Sequence, residues 1–367
     1  MSDLFITSYP PVRTSGRGVR TCSVIMALAR LGPIEVAYLP FGGANAAKDL
    51  EADERVTLRR LEPSRGVRRL LAAARAIAAG APKDLARSVS PEVMAVARQA
   101  PAGTRVIADG PTAAAALLPS GRVHDAVYLA HNLETSFRTT VPNIASFERK
   151  VLRSFRESWM ATDGDIEGAR ELAGEGLALR YVPNVVDVHA LPVVGTPPGK
   201  RNTLFVADFS YEPNLEGLAY LVDDVMPLVW AELPDATVTV VGRGIETPPS
   251  DPRVHVLGFV DDLDAAYADA DAAVVPLLTG GGSPLKLVEA LAHGMPVVVS
   301  SHAAELLPHG SAPEHFLAAP DPPGMASALV SVLRGEHPDL GRRARALAED
   351  QFSIEVLVRL LGEAARP

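Results

Sequence analysis

The stretch from Asp271 to Ser301 limits what this chain can fold into more than any other. An apolar run from Ala272 to Leu278 reads as a strand, and Thr279, Gly280, Gly281, Gly282 and Ser283 form a tight turn of small residues. Pro284 suits the first position of a helix, and Leu285, Val288, Glu289 and Ala292 follow at helical spacing. Gly294 ends that helix, Pro296 prevents its resumption, and Val297, Val298 and Val299 open the next strand. The order is strand, glycine turn, helix, strand: one βαβ unit of a parallel sheet.

The chemistry of such a unit is specific. Glycines let the backbone turn sharply and approach a ligand closely. The helix that follows directs unpaired N–H groups and the positive end of its dipole at the turn, where a phosphate or diphosphate is the natural occupant. Lys286 lies in the first turn and can add a cationic contact. Glu289 follows on the same side, where its carboxylate can accept hydrogen bonds from sugar hydroxyls. The plainer alternative is an ordinary turn of a parallel sheet with a solvated Lys and Glu.

The whole chain alternates strand and helix, the pattern of doubly wound parallel sheets. Its 367 residues suffice for two domains. The expected division is an N-terminal Rossmann-like domain over 1–190, a linker over 191–201, a second such domain over 202–350, and a terminal helix over 351–367 that returns to the first domain. The linker stretch holds three prolines and two glycines. Residues 1–190 carry 24 Lys+Arg and 20 Asp+Glu, a balance of +4, which leaves 35 − 24 = 11 and 44 − 20 = 24, or −13, for the remainder. That asymmetry suggests two units with different tasks, and the acidic half argues against nucleic-acid binding. The single cysteine, Cys22, fits a reducing compartment. No apolar run approaches the ~20 residues that span a bilayer, and no signal peptide is evident, so a cytoplasmic location is expected.

In the first half, Leu4–Ser8 reads as a strand, Val19–Leu31 as a helix and Ile34–Phe41 as the next strand. Between the first two, Gly16-Arg17-Gly18 makes a second glycine turn ahead of a helix. Position 21 is Thr, so the dinucleotide fingerprint is incomplete. A basic amphipathic helix is expected over 64–79, with Arg65, Arg68, Arg69 and Arg75; it reads as the solvated face of a soluble domain, or as a weak peripheral contact with an anionic membrane. Val106–Ala108 and Val127–Ala130 are strands that deliver Asp109-Gly110 and His131-Asn132-Leu133-Glu134. Residues just beyond the C-terminal ends of parallel strands sit where open α/β sheets bind ligands.

Gly281-Gly282-Ser283-Pro284-Leu285-Lys286-Leu287-Val288-Glu289 and the apolar strand after it resemble the donor-nucleotide segment of GT-B glycosyltransferases, closest to glycosyltransferase family 4. His131-Asn132-x-Glu134 after a strand, and Phe205 to Asn214 (FVADFSYEPN), are similar to further segments of that family. The resemblance implies two Rossmann-like doubly wound domains facing across a cleft. It implies transfer of a sugar from a nucleotide-diphosphate sugar, used as co-substrate, to a small-molecule, glycan or lipid-linked acceptor, with retention and without cofactor or metal. It places His131, Lys286 and Glu289 at the reaction. It places Gly16, Arg17, Asn214, Gly258, Phe259, Val260 and the 281–286 turn on the donor, and Gly18, Arg20, Asp109, Asn132 and Glu134 on the acceptor side. The family usually pairs Glu289 with an earlier glutamate, at the position occupied here by Gly281. It also usually carries an Arg and a Lys after the strand at Phe205, absent here; that task falls to Lys286, to Arg17 or Arg20, or to backbone N–H groups. A nucleotide-sugar epimerase and a non-catalytic nucleotide-sugar- or acceptor-binding protein are the alternatives on the same fold.

Overall fold

The computed structural model describes residues 3–13, 15–40, 45–137, 140–194, 199–281, 284–307 and 313–363. It divides into two compact units, one of residues 1–184 with 354–367, the other of residues 185–353.

The first unit holds seven parallel strands in the order β3-β2-β1-β4-β5-β6-β7. They are β1 (Asp3–Thr7), β2 (Ile34–Tyr38), β3 (Val56–Arg60), β4 (Arg105–Asp109), β5 (Ala126–Leu129), β6 (Glu157–Met160) and β7 (Leu179–Tyr181). Every residue of β1 and β5 is buried, as a parallel sheet covered on both faces requires. β3 is a mostly exposed edge strand, with Val56 and Leu58 half-buried and Thr57, Arg59 and Arg60 exposed. The Ile354–Glu363 helix belongs to this unit and packs on the Gly16–Leu31 helix, with Leu357 and Leu361 buried and Arg30 paired to Glu355 at 2.6 Å.

The second unit holds six parallel strands in the order β10-β9-β8-β11-β12-β13. They are β8 (Asn202–Val206), β9 (Thr237–Val241), β10 (Val254–Gly258), β11 (Ala272–Val275), β12 (Val297–Ser300) and β13 (Leu317–Ala319). One apolar core lies on each side of this sheet, one around Phe205, Met226 and Leu329, the other around Leu287, Leu291 and Phe316. Chain on either side of 195–198 is bonded within this unit: the Val194 amide donates to the His293 carbonyl at 2.7 Å, and the Gly199 amide to Asp271 at 2.6 Å.

Several element limits differ from the sequence expectation. The strand expected over 272–278 stops at Val275, because Pro276 has no N–H to continue a ladder. β13 is only three residues long. The helix after β8 starts at Glu212 and passes through a π-helical turn, Tyr220–Val225, before resuming at Met226. Pro227 stands just beyond that turn, and a local π widening is one way to admit a proline without ending the helix. The Asp163–Ala173 helix is capped by Thr162, whose hydroxyl accepts from the Asp165 amide at 2.9 Å.

In both sheets the strand order reverses once, between β1 and β4 in the first and between β8 and β11 in the second. Loops leaving two such strands part in opposite directions and open a crevice, where ligands bind in this architecture.

Candidate functional site

In the first unit, the loops after β1, β4 and β5 converge on Asp109. Parallel register sets Thr7 beside Asp109 at the ends of β1 and β4. The Asp109 carboxylate is buried and accepts from His131 Nε2 at 2.7 Å and from the Thr21 hydroxyl at 3.2 Å. Arg17 lies 3.6 Å from the same carboxylate, donates to the Asp109 carbonyl at 3.3 Å, and stacks over the Tyr9 ring at 4.4 Å. Burial alone would raise the Asp109 pKa; His131, Arg17 and Thr7 outweigh it and hold the carboxyl well below the usual carboxylate range. Burial pulls the His131 imidazole below its ordinary value against the attraction of Asp109. A neutral imidazole bonded this way donates through Nε2 and leaves Nδ1 as an acceptor; the network assigns that tautomer. Nδ1 is buried and has no partner among the described residues.

Glycines make the convergence possible. A side chain at Gly110, which has φ +75°, would meet the Arg17 guanidinium at 2.9 Å and the His131 ring at 3.2 Å. One at Gly18 would lie 1.8 Å from the Val12 carbonyl oxygen. Gly18 thus lets the loop after β1 cross the start of its helix, whose N-cap is Ser15. Arg20 is fully enclosed and gives its guanidinium to the carbonyls of Val182 (2.6 Å) and Ala130 (3.1 Å) and to Asn184 Oδ1 (3.1 Å). It ties the β1 helix to the ends of the unit's other loops. Asn132 is half-buried. Glu134 begins a short helix whose first amides, those of Glu134 and Thr135, donate to the Glu148 carboxylate at 2.6 and 2.8 Å.

In the second unit, the loops after β8 and β11 meet at the other switch point. Pro284 is the N-cap and Leu285 the first residue of the Leu285–Ala292 helix, one position later than its sequence suggests. Gly281 precedes that start; Gly282 and Ser283 lie outside the described residues. The Lys286 ammonium donates to Asn214 Oδ1, and the Asn214 amide donates in turn to the Asp208 carbonyl at 2.6 Å. Asn214 is buried, so the lysine is held by a fixed group across the β8–β11 junction. The ammonium also lies 5.9 Å from the Phe205 ring centroid. Loss of solvation lowers the Lys286 pKa to about 7 and raises that of Glu289 to about 7. Lys286 and Glu289 are both half-buried and lie one helical turn apart on the same helix.

Gly258, Phe259 and Val260 lie apart from this junction, at the end of edge strand β10, where Gly258 adopts φ +70° and Phe259 is 68% exposed. Two groups here escaped the sequence reading. Arg243 follows β9 and pairs with Asp208 at 2.8 Å; in the sequence it stands inside Gly242-Arg243-Gly244, a spacing that reads only as an incomplete glycine motif. His302 holds the glycine turn through the Gly280 carbonyl at 2.8 Å, and no local motif announces it.

The fold is that of the GT-B glycosyltransferases. Residues 200–335 match the family model described as Glycosyl transferases group 1. The chain is 32% identical over 224 residues to phosphatidyl-myo-inositol mannosyltransferase of Mycolicibacterium smegmatis, an alignment covering 57% of this chain and 57% of the relative. The Mycobacterium leprae protein of the same name is 31% identical over 214 residues, covering 54% and 56%. The chain thus spans little more than half the length of these curated relatives. Among solved structures, sucrose-phosphate synthase from Thermosynechococcus elongatus superposes with TM-score 0.72 at 15% identity, covering 99% of this chain and 98% of that one. Anabaena HepE in complex with UDP-glucose gives TM-score 0.66 at 15% identity, covering 99% of each. At such identities the likeness concerns the fold.

Proposed function

We propose that the protein is a glycosyltransferase that takes a sugar from a nucleotide-diphosphate donor and passes it to an acceptor hydroxyl, with retention at the anomeric carbon and without a metal. The observation that carries this reading is the half-buried Lys286 fixed by Asn214 at the start of the 285–292 helix, beside the β8–β11 switch point. Its low pKa reflects desolvation without a compensating anion. A diphosphate supplies that anion, and the helix start adds N–H donors to it. The match of residues 200–335 to a glycosyltransferase model supports the assignment, as does the Anabaena neighbour with its bound UDP-glucose.

In this mechanism Lys286 and the helix start stabilise the charge that develops on the departing diphosphate. Glu289 accepts hydrogen bonds from the nucleotide ribose. His131, set in one orientation by Asp109, contacts the donor sugar. Arg17 stands beside the same carboxylate as a second cation. Incubating the protein with a panel of nucleotide sugars and acceptors, and following nucleotide release, tests the proposal. Release that depends on an acceptor supports transfer. Isomerisation of the sugar, or binding with no turnover, contradicts it. Lys286→Ala is expected to lower kcat/KM on the order of a hundredfold, the scale of one lost electrostatic stabiliser; unchanged turnover would remove Lys286 from the site.

A further inference from the structure

Gly242-Arg243-Gly244 lies flush against the segment that leaves β8. Gly242 has φ +143°, and a side chain there would stand 1.7 Å from the Ala207 carbonyl oxygen. Gly244 has φ +96°, and one there would stand 2.4 Å from the Ser210 nitrogen. Glycine permits both the angles and the approach, and the approach carries Arg243 to Asp208. Arg243 Nε and Nη2 donate to Asp208 Oδ2 at 3.1 and 2.8 Å. Asp208 Oδ1 accepts from the Ser210 amide at 3.1 Å and from the Ser210 hydroxyl at 2.5 Å. Burial would raise the Asp208 pKa, but Arg243 and Ser210 outweigh it and hold the carboxyl below its ordinary value.

The pair is open to solvent, with 58% of the Arg243 side chain and 36% of the Asp208 side chain exposed. Exposed ion pairs add little to stability. Backbone bonds already anchor the base of the segment, from the Ala207 amide to the Val241 carbonyl at 3.0 Å and from the Phe209 amide to the Arg243 carbonyl at 2.8 Å. What the pair fixes is the turn beyond. The Asp208 carbonyl accepts from the Tyr211 amide at 3.2 Å and from the Asn214 side-chain amide at 2.6 Å. A side-chain amide has one donor end and one acceptor end. With its donor end on Asp208, Asn214 turns its oxygen to the Lys286 ammonium. Loops from three strands thus meet in one relay: Arg243 after β9, Asp208 and Asn214 after β8, and Lys286 after β11. We infer, on the reading that Lys286 meets a donor diphosphate, that Arg243 and Asp208 are positioning residues for that lysine. They hold the 207–214 segment in the shape that keeps the Asn214 oxygen on the ammonium, and neither touches the donor.

Two measurements test this, the first without a ligand. The Lys286 side chain is titrated by NMR in the free protein, its signal assigned by its absence from Lys286→Met. In Arg243→Gln and in Asp208→Asn the pKa is expected to rise from about 7 toward the ordinary lysine value, because a loosened Asn214 lets the ammonium reach water. Arg243→Lys keeps a charged donor without the planar fork and is expected to fall between the parent and Arg243→Gln. Charge alone would move the first two variants in opposite directions, since one bares a carboxylate and the other removes it. The second measurement is calorimetry with UDP, GDP and ADP. For a nucleotide that binds, Arg243→Gln is expected to raise Kd on the order of tenfold in the parent but less than about twofold in Lys286→Met, the non-additivity of residues that act through one another. Arg243 is exposed and Asn matches Asp208 in shape, so an unchanged melting temperature shows that each variant is folded. Unchanged titration in both variants, or shifts of opposite sign, overturns the proposal. So does an equal loss of affinity in both backgrounds, which would mean that Arg243 meets the anion itself. Failure of the parent to bind any of the three nucleotides would contradict the donor reading instead, and the titration would still decide the relay.

Discussion

Lys286 concentrates the argument in one side chain. Its neighbourhood lowers its pKa to about 7 by removing water, while Asn214 fixes where the ammonium points. The consequence for binding has a definite sign. Above pH 7 the unliganded lysine is largely neutral; an anion bound beside it favours the ammonium form and raises its pKa. Binding of UDP at pH 8 is therefore expected to take up about one proton, with uptake fading as the pH falls below the free-state value. Calorimetry in buffers of different ionisation enthalpy measures this directly. Lys286→Met is expected to abolish the uptake, which separates the lysine from Glu289, whose pKa is also raised to about 7. Uptake that persists in the variant would assign the proton elsewhere. Lys286 and Glu289 are legible in the sequence because strand, turn and helix are contiguous there. The Asn214 contact is not, since the two residues are 72 positions apart and only sheet order makes them neighbours.

At the scale of elements, the Gly16–Leu31 helix shows how one pattern admits two meanings. Its glycine turn and following arginines read as a ligand loop, and Arg17 does face the Asp109 cluster. Arg20, one turn on, is spent on two carbonyls and an asparagine inside the unit. Neither residue type nor spacing distinguishes the two, because burial depends on what packs above the helix. Thr21, which breaks the dinucleotide glycine pattern, binds the Asp109 carboxylate instead. Arg20→Leu would leave three buried acceptors without their donor. At about 1 kcal/mol or more for each, the cost is roughly 3 kcal/mol, or about 6–12 °C in melting temperature for a unit of this size. A shift under about 2 °C by differential scanning fluorimetry would contradict that structural role. Strands are hard to read in the sequence where burial is slight or the element short: β3 exposes most of its residues, and β13 has three. Central strands such as β1 and β11 are buried throughout and therefore plain in the sequence.

At the scale of the whole molecule, each unit carries its own sheet, core and switch point, and the chemistry divides between them. The first unit offers an oriented imidazole with a cation beside it, and the second offers a cation at a helix start. The portion beyond residue 190 carries a charge of −13, by the counts given above. An acidic unit does not attract a diphosphate from a distance, so any affinity must come from local geometry at the β8–β11 junction. Hydrogen exchange with and without UDP, GDP and ADP tests that claim most directly. With one of these nucleotides, exchange is expected to slow over residues 207–214 and at the start of the 285–292 helix, with the first unit's amides unchanged. Nucleotide-dependent protection confined to the first unit, or to the far end of the second unit's sheet, would contradict it.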